Sequence, residues 1–209
     1  PTESKLEIFY TIFGNGITEI DFNFSSMKQG NPEIPRIGLR AKVNSSFRDI
    51  EFFGRGPHEN YCDRNSSALV GLYKSSVEKQ YFPYISPQEN GYKTDTRWLK
   101  LESKKNVLLI VADSLISFSA LPFEQETLHQ EKRGTKHIPD VKFNGYTNLC
   151  IDYKQMGLGG DDSWGAHPME RYLIRNGEYH YRFALIPFNK KDNFEKSTKY
   201  FKLYRNDEK

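Results

Sequence analysis

The sequence predicts an all-β fold, a large antiparallel β-sandwich that forms one domain over residues 1–209. Many short segments rich in β-branched and aromatic residues alternate with turn residues, and helical periodicity is scarce. The chain is 14% aromatic, with 15 Phe and 13 Tyr, so it has enough apolar surface to build a core. No linker-like stretch divides the chain, which favours a single domain.

The first element is a β-hairpin. Residues 6–13 are β-branched and aromatic, residues 14–16 read Gly-Asn-Gly, and residues 17–24 alternate apolar and polar side chains. A glycine-containing turn between two such runs is a strong hairpin signal.

Further strands follow the hairpin. Residues 106–112 and 115–120 are expected to pair as a second hairpin across Asp113 and Ser114. Residues 122–131 predict a short helix, and residues 57–90, with three prolines, predict a long turn-rich connection. The other predicted strands are 37–43, 47–53, 98–102, 147–153 and 178–188.

Charge and composition exclude several classes of protein. The 30 basic and 27 acidic residues give a net charge of +3 that is spread along the chain, so we expect no nucleic-acid partner. No apolar run approaches the roughly 20 residues that span a bilayer, and two cysteines make no disulfide framework. The chain begins without Met or a signal peptide, so we expect a part of a longer protein, in either the cytoplasm or the periplasm.

Two turn-rich segments carry candidate binding residues. Residues 54–64 offer Glu59, Asn60 and Arg64, and residues 84–98 offer Glu89, Asn90 and Arg97. Aromatic rings beside amides and charges are typical of sugar sites, where rings face C–H surfaces and polar groups bind hydroxyls. The alternative for both segments is structural: a rigid turn tied by an arginine–carboxylate pair, or packing and turn chemistry.

A third segment, residues 155–165, is glycine-rich. Three glycines in four positions require a sharp bend or a close approach. Its Trp is either a buried anchor or an exposed platform on which a ligand stacks. The remaining candidates, which we expect to shape the loop around Trp164, are Gly159, Gly160, Asp161, Asp162 and Ser163.

No catalytic motif is present. The chain has no GxSxG, HExxH or phosphate-binding glycine motif, and its five His show no ligand spacing. A glycosidase pair of carboxylates cannot be selected from 27 acidic residues. We therefore predict no catalytic residue, no metal site and no cofactor on this chain.

Together these segments resemble the C-terminal domain, the small-chain type, of family 2 β-galactosidases. The matching stretches are PRIGL at 35–39, GRGPHENYCDR at 54–64, YISPQENG at 84–91, TRW at 96–98, MGLGGDDSW at 156–164 and YHY at 179–181. They occur in the family's order and cover most of the chain, whereas the tail after Phe188 matches nothing.

The resemblance implies a supersandwich of the galactose mutarotase-like type. It implies a domain that packs beside a TIM barrel, which carries the glutamates of a retaining enzyme that hydrolyses terminal β-D-galactosides. Trp164 would stack on the galactoside at the mouth of that site, while Asp161, Asp162 and Ser163 shape its loop. Magnesium and sodium ions of the full enzyme would lie outside this domain, and the full enzyme would be a homo-oligomer.

Two other functions stay open at this point. A stand-alone galactoside-binding module would bind sugar without the rest of the enzyme. An aldose epimerase on the same fold would need a His acid and a Glu base facing one pocket, and no motif supplies that pair. For the β-galactosidase domain, we expect the isolated chain to be inactive, because a stacking contact cannot replace glutamate catalysis.

Overall fold

Antiparallel β-strands dominate the computed structural model of the chain, which describes residues 3–27, 30, 32–130, 132, 134–160, 162 and 164–192. The strands of this part are β1 Ser4–Ile12, β2 Thr18–Ser26, β3 Arg36–Asn44, β4 Asp49–Gly56, β5 Leu69–Ser76, β6 Lys93–Glu102, β7 Asn106–Leu121, β8 Tyr146–Gln155 and β9 Gly177–Asn189. The helix α1 is Val77–Gln80, and short 3-10 helices cover Gln125–Leu128, Ile138–Asp140 and Glu170–Tyr172. The predicted all-β antiparallel class is confirmed.

The strands form one large sheet in the order β1-β2-β9-β7-β6-β4-β5, with β8 joining β7 to β3. The long strand β7 changes partner along its length. Its first half, from Asn106 to Ala112, pairs with β9, and its second half, from Ser117 to Leu121, pairs with β8. Because β7 exchanges one neighbour for another, the sheet divides into two parts that can face each other.

Contacts between β8 and β9 show that the two parts pack face to face. The Tyr181 hydroxyl of β9 donates a hydrogen bond to the Ile151 carbonyl of β8 at 3.0 Å, and the Tyr153 and Tyr181 rings stack 5.7 Å apart. The main core joins inward-facing side chains of seven strands, β2, β3, β4, β6, β7, β8 and β9. Each large apolar side chain buried there contributes about 1.5–3 kcal/mol to folding.

The edge strand β1 contrasts with this core, because eight of its nine residues are exposed and only Ile8 is partly buried against the core. It pairs with β2 alone among the described strands. Its apolar side chains Leu6, Phe9, Tyr10 and Ile12 are exposed. The predicted first hairpin is thus confirmed, but its outer strand is covered only at Ile8 in the described part of the chain.

Three expectations about secondary structure are corrected by the structure. Residues 106–121 form one continuous strand and not a hairpin, because Asp113 and Ser114 stay extended where β7 passes from one partner strand to the other. The connection 57–90 contains β5 and α1, because β5 pairs along its full length with β4 as an edge strand. The predicted helix at 122–131 is reduced to the 3-10 turn Gln125–Leu128.

Three segments, residues 54–64, 84–98 and 155–165, meet at one end of the sandwich and are called the motif segments below. Strand β4 leads into residues 57–64, and β8 leads into the glycine-rich loop. The Met156 amide donates to the Pro35 carbonyl at 3.0 Å, just before β3 begins, and the Asn60 amide donates to the Tyr92 carbonyl at 2.8 Å. This end of the fold is therefore where a site can be assembled.

Candidate functional site

Trp164 lies on the surface, with 91% of its area exposed. The loop around it is built on left-handed glycines, since Gly159, Gly160 and Gly165 have φ values of 67°, 90° and 87°. A side chain on Gly159 would also lie 2.7 Å from the Ala166 carbonyl oxygen, so the loop closes tightly upon itself there. The sequence thus folds into a turn that presents an indole to solvent.

Asp162 orders the tip of this loop. Its Oδ1 accepts hydrogen bonds from the backbone amides of Trp164 at 2.8 Å and of Ala166 at 3.3 Å. Such a carboxylate–backbone turn fixes the chain on both sides of the indole. The other two predicted loop-shaping residues, Asp161 and Ser163, lie outside the described residues.

Glu59 joins the first motif segment to the second. Its Oε1 accepts hydrogen bonds from Arg64 Nη2 at 2.9 Å and from the Tyr84 hydroxyl, and its Oε2 accepts one from the Gly91 amide at 2.8 Å. The Arg64 guanidinium also lies 4.8 Å from the centre of the Tyr61 ring. Glu59 and Arg64 therefore form a structural arginine–carboxylate pair, and Glu59 also joins this segment to residues 84–91.

Asn60 is fully buried and its hydrogen-bonding capacity is used by the protein. Its Oδ1 accepts from the Thr94 amide at 3.0 Å and the Thr94 hydroxyl at 2.6 Å. Its Nδ2 donates to the Arg55 and His58 carbonyls, both at 3.1 Å. With two donors and two acceptor positions occupied, this amide fixes the turn and has none left for a ligand.

The candidates of the second segment are also turned toward the protein. Glu89 is largely buried, which raises the pKa of its carboxyl, and it accepts from Gln125 Nε2 at 3.0 Å. Asn90 Nδ2 donates to the Gln88 carbonyl at 2.8 Å. Arg97 donates to the Asp95 carbonyl at 2.6 Å and covers the Phe53 ring at 5.3 Å.

Sequence reasoning missed a buried ion pair beneath these segments. Arg36 Nε lies 2.7 Å from Asp152 Oδ2, Arg36 Nη2 donates to Gln155 Oε1 at 2.8 Å, and the guanidinium lies 5.0 Å from the centre of the Tyr92 ring. Burial raises the pKa of Asp152 to about 7, although the positive charge of Arg36 opposes the rise. No local pattern could have revealed the pair, because β3 and β8 are distant in sequence.

Asp63 is also absent from the predicted site residues. Its Oδ2 accepts a hydrogen bond from the Gly159 amide at 2.9 Å. The contact links the first motif segment directly to the loop of Trp164. The only sequence signal was its place beside two other candidates, Glu59 and Arg64.

A buried lysine yields a stability prediction. Lys93 Nζ contacts the Gly91 carbonyl at 3.3 Å, and burial lowers its pKa from 10.5 to about 8. We expect Lys93→Met to raise the free energy of unfolding at pH 7 by on the order of 2 kcal/mol, since the buried charge is removed. Because the pKa is lower in the folded state, wild-type stability relative to the variant should rise between about pH 8 and 10.5.

Urea unfolding at pH 7 and pH 10 measures this difference. The exposed Lys79 provides the control, and Lys79→Met should change stability little at either pH. A Lys93→Met variant that is less stable than wild type at pH 7 would contradict the prediction.

The described carboxylates of the motif segments are engaged within the protein. Glu59, Glu89 and Asp162 accept the hydrogen bonds given above, Asp63 holds Gly159, and Asp95 pairs with Arg55 at 2.5 Å. Hydrolysis of a glycosidic bond needs two carboxyl groups that flank the scissile bond. The described residues also contain no group of three His, Cys, Asp or Glu that could hold a metal ion. The described carboxylates of these segments therefore join parts of the fold to one another.

A cavity of about 480 Å³ opens beside the root of the loop. Its lining mixes aromatic and charged side chains, including Tyr92, Asp95, Tyr153, Arg171 and Tyr172. The Tyr172 carbonyl accepts a hydrogen bond from the Gly157 amide at 2.9 Å, so the cavity wall and the loop are joined. Its size and mixed lining suit a small polar ligand with C–H faces.

No helix in the described residues is long and apolar enough to cross a membrane. The two cysteines are free thiols, with Cys150 buried and Cys62 half-buried. Burial raises the pKa of Cys150 to about 11, so its thiol is protonated at neutral pH. Neither residue forms a disulfide.

Comparison with known proteins identifies the family. Residues 1–185 match the family described as β-galactosidase small chain. The chain is 36% identical over 182 residues to the β-galactosidase of Priestia megaterium and 35% identical over 176 residues to that of Vibrio cholerae. It is 34% identical over 175 residues to the β-galactosidase of Lactococcus lactis.

These alignments cover 86%, 84% and 84% of this chain but only 17%, 16% and 17% of the respective relatives. The chain therefore corresponds to a domain of much longer enzymes. The predicted resemblance is confirmed: the chain belongs to the β-galactosidase small-chain family.

Proposed function

We propose that this chain is the C-terminal domain of a retaining β-galactosidase and supplies a stacking surface to its galactoside site. The observation that carries the proposal is the exposed indole of Trp164 on a turn fixed by glycines and Asp162. An indole face offers a flat apolar platform for the C–H side of a galactose ring. Relatives named β-galactosidase, all much longer than this chain, support the same assignment.

In this proposal the chemistry belongs to another domain of the enzyme, a TIM barrel that carries two glutamates. The described carboxylates of the motif segments are engaged within the fold, so we assign none of them as nucleophile or acid. Stacking on Trp164 contributes about 1–3 kcal/mol, enough to orient a galactoside. Lowering the barrier to hydrolysis needs far more, about 8 kcal/mol or above. The complete enzyme would be a homo-oligomer.

The test compares the purified chain with the complete enzyme on a chromogenic β-galactoside. We expect turnover only from the complete enzyme, because this proposal places the acid and the nucleophile in the TIM barrel. NMR of the first product formed by the complete enzyme should show β-galactose, as retention requires. Turnover by the chain alone at the rate of the intact enzyme would refute the proposal.

The cavity beside the loop favours a second candidate, a galactoside-binding module. Its aromatic and charged lining fits a monosaccharide, and sugar binding there would need no other domain. Calorimetry of the chain with galactose and lactose separates the two functions. Micromolar affinity supports the module, whereas millimolar or no binding supports the enzyme domain.

A further inference from the structure

The glycine-rich loop is attached to the sandwich at its base. The Met156 amide donates to the Pro35 carbonyl at 3.0 Å, and the Gly157 amide donates to the Tyr172 carbonyl at 2.9 Å. Both bonds precede the first left-handed glycine, Gly159. Residues 157–159 therefore set the direction in which the loop leaves the sandwich.

Asp63 acts at this point, from a segment 96 residues away in sequence. Its Oδ2 accepts the hydrogen bond of the Gly159 amide at 2.9 Å. A Cβ on Gly157 would lie 2.6 Å from the same oxygen and 2.8 Å from Asp63 Cγ. The carboxylate thus occupies the space of a side chain at position 157 and binds the backbone at position 159.

Asp63 is itself held in a tight turn. The backbone groups of Tyr61 and Arg64 bond to each other on either side of it, at 3.4 Å and 2.9 Å. The preceding Cys62 Sγ donates to the Gln155 carbonyl, the last residue of β8, at 3.4 Å. A carboxylate on such a short, doubly bonded turn has little freedom to follow a moving loop.

We propose that Asp63 is a positioning residue that fixes the base of the loop and thereby the place of the Trp164 indole. The inference rests on the proposed function, because it concerns the residue that would stack on substrate. Two carboxylates hold the loop at different points: Asp63 binds its base, and Asp162 orders its tip. Asp63 contacts no reacting group in this scheme and acts only through the loop.

The test uses the complete β-galactosidase with Asp63→Ala and Asp63→Asn. Hydrogen exchange read by mass spectrometry reports on the peptide that covers residues 156–166. We expect Asp63→Ala to speed exchange of that peptide about tenfold, because a charge-assisted hydrogen bond is lost. KM for galactosides should rise about threefold to tenfold with little change in kcat, since a misplaced indole weakens binding in ground and transition states alike.

Asp63→Asn keeps an acceptor oxygen for the Gly159 amide. Hydrogen exchange of the 156–166 peptide and KM should therefore stay close to their wild-type values in this variant. The control is Asp140→Ala, which removes a carboxylate that accepts a backbone amide, that of His137 at 2.8 Å, in a different turn. It should leave the loop peptide and KM unchanged. Exchange of the peptide covering β7 shows whether each variant is folded.

A double-mutant cycle with Gly157→Ala tests the steric part of the inference. Gly157→Ala alone should raise KM, because its methyl group collides with the Asp63 carboxylate. The double variant should be less impaired than the sum of the single effects, since Asp63→Ala removes the colliding atoms. Additive effects would count against a direct contact.

The outcomes separate this inference from the proposed function. If Asp63→Ala leaves loop exchange and KM at wild-type values, the positioning role is wrong even when Trp164 proves essential for binding. If Asp63→Ala speeds loop exchange but replacement of Trp164 leaves KM unchanged, Asp63 still fixes the loop and the stacking function is wrong.

Discussion

Trp164→Ala in the complete enzyme is expected to raise KM for galactosides about 5- to 150-fold, the equivalent of about 1–3 kcal/mol of lost stacking. The indole is 91% exposed in this domain, so its removal should not change the thermal unfolding of the sandwich. A contact made equally in the ground and transition states changes KM and leaves kcat nearly constant. Steady-state kinetics with a chromogenic galactoside measure both constants.

Matched substitutions make this result specific. Trp164→Phe keeps an aromatic face and should recover a large part of the affinity. Phe9→Ala removes another exposed aromatic side chain, on the edge strand β1, and should leave KM unchanged. A KM within twofold of wild type for Trp164→Ala would show that the indole does not stack on substrate.

Arg36→Met is expected to cause the largest loss of stability, about 3–5 kcal/mol of unfolding free energy. Arg36 pairs with Asp152 at 2.7 Å, donates to Gln155, and lies 3.6 Å from Glu89. Without Arg36, the buried Asp152 must ionise unpaired or take up a proton, and both options cost free energy. The residue also joins β3, β8 and the segment 84–91, so these elements should loosen together.

Arg40→Met is the control for this measurement, because Arg40 lies on the same strand. Its guanidinium pairs with Glu126 at 2.6 Å, but both partners are exposed. Exposed pairs contribute about 0–1 kcal/mol, so this variant should unfold close to wild type in urea. Equal losses of unfolding free energy in the two variants would show that the buried pair contributes no more to stability than the exposed pair.

Much of the fold could be predicted because its signals are local. Residues 17–24 alternate with period two, and β2 buries Ile20 and Phe22 while neighbouring positions stay more open. The glycines at 14 and 16 mark the turn before it, and the hairpin follows from these two facts. Such signals need no knowledge of the rest of the chain.

The wrong predictions arose where tertiary pairing overrides local pattern. Asp113 and Ser114 suggest a turn, yet they are the polar middle of β7, where the strand changes partner. β5 has no fully buried residue, and its exposed positions alternate only with half-buried ones from Val70 to Ser75, because it is an edge strand with little of its surface covered. Its pairing with β4 could not be read from composition alone.

The sequence singled out residues of the candidate site but not the contacts between them, and the role of Trp164 in sugar binding stays a prediction. The segment around Trp164 was recognisable from its own composition. By contrast, Asp63 and Gly159 meet across 96 residues, and the Asp152 partner of Arg36 lies on a different strand. Contacts of that range depend on strand order, which no motif encodes.

The open edge strand β1 has a consequence for handling the chain by itself. Among the described strands β1 pairs only with β2, so its outer backbone amides and carbonyls, flanked by Leu6, Tyr10 and Ile12, are a template for edge-to-edge association. Lys5 and Glu7 pair with each other at 2.8 Å, so their charges give limited electrostatic repulsion against a second copy. At high concentration the separated domain is therefore expected to aggregate through this strand.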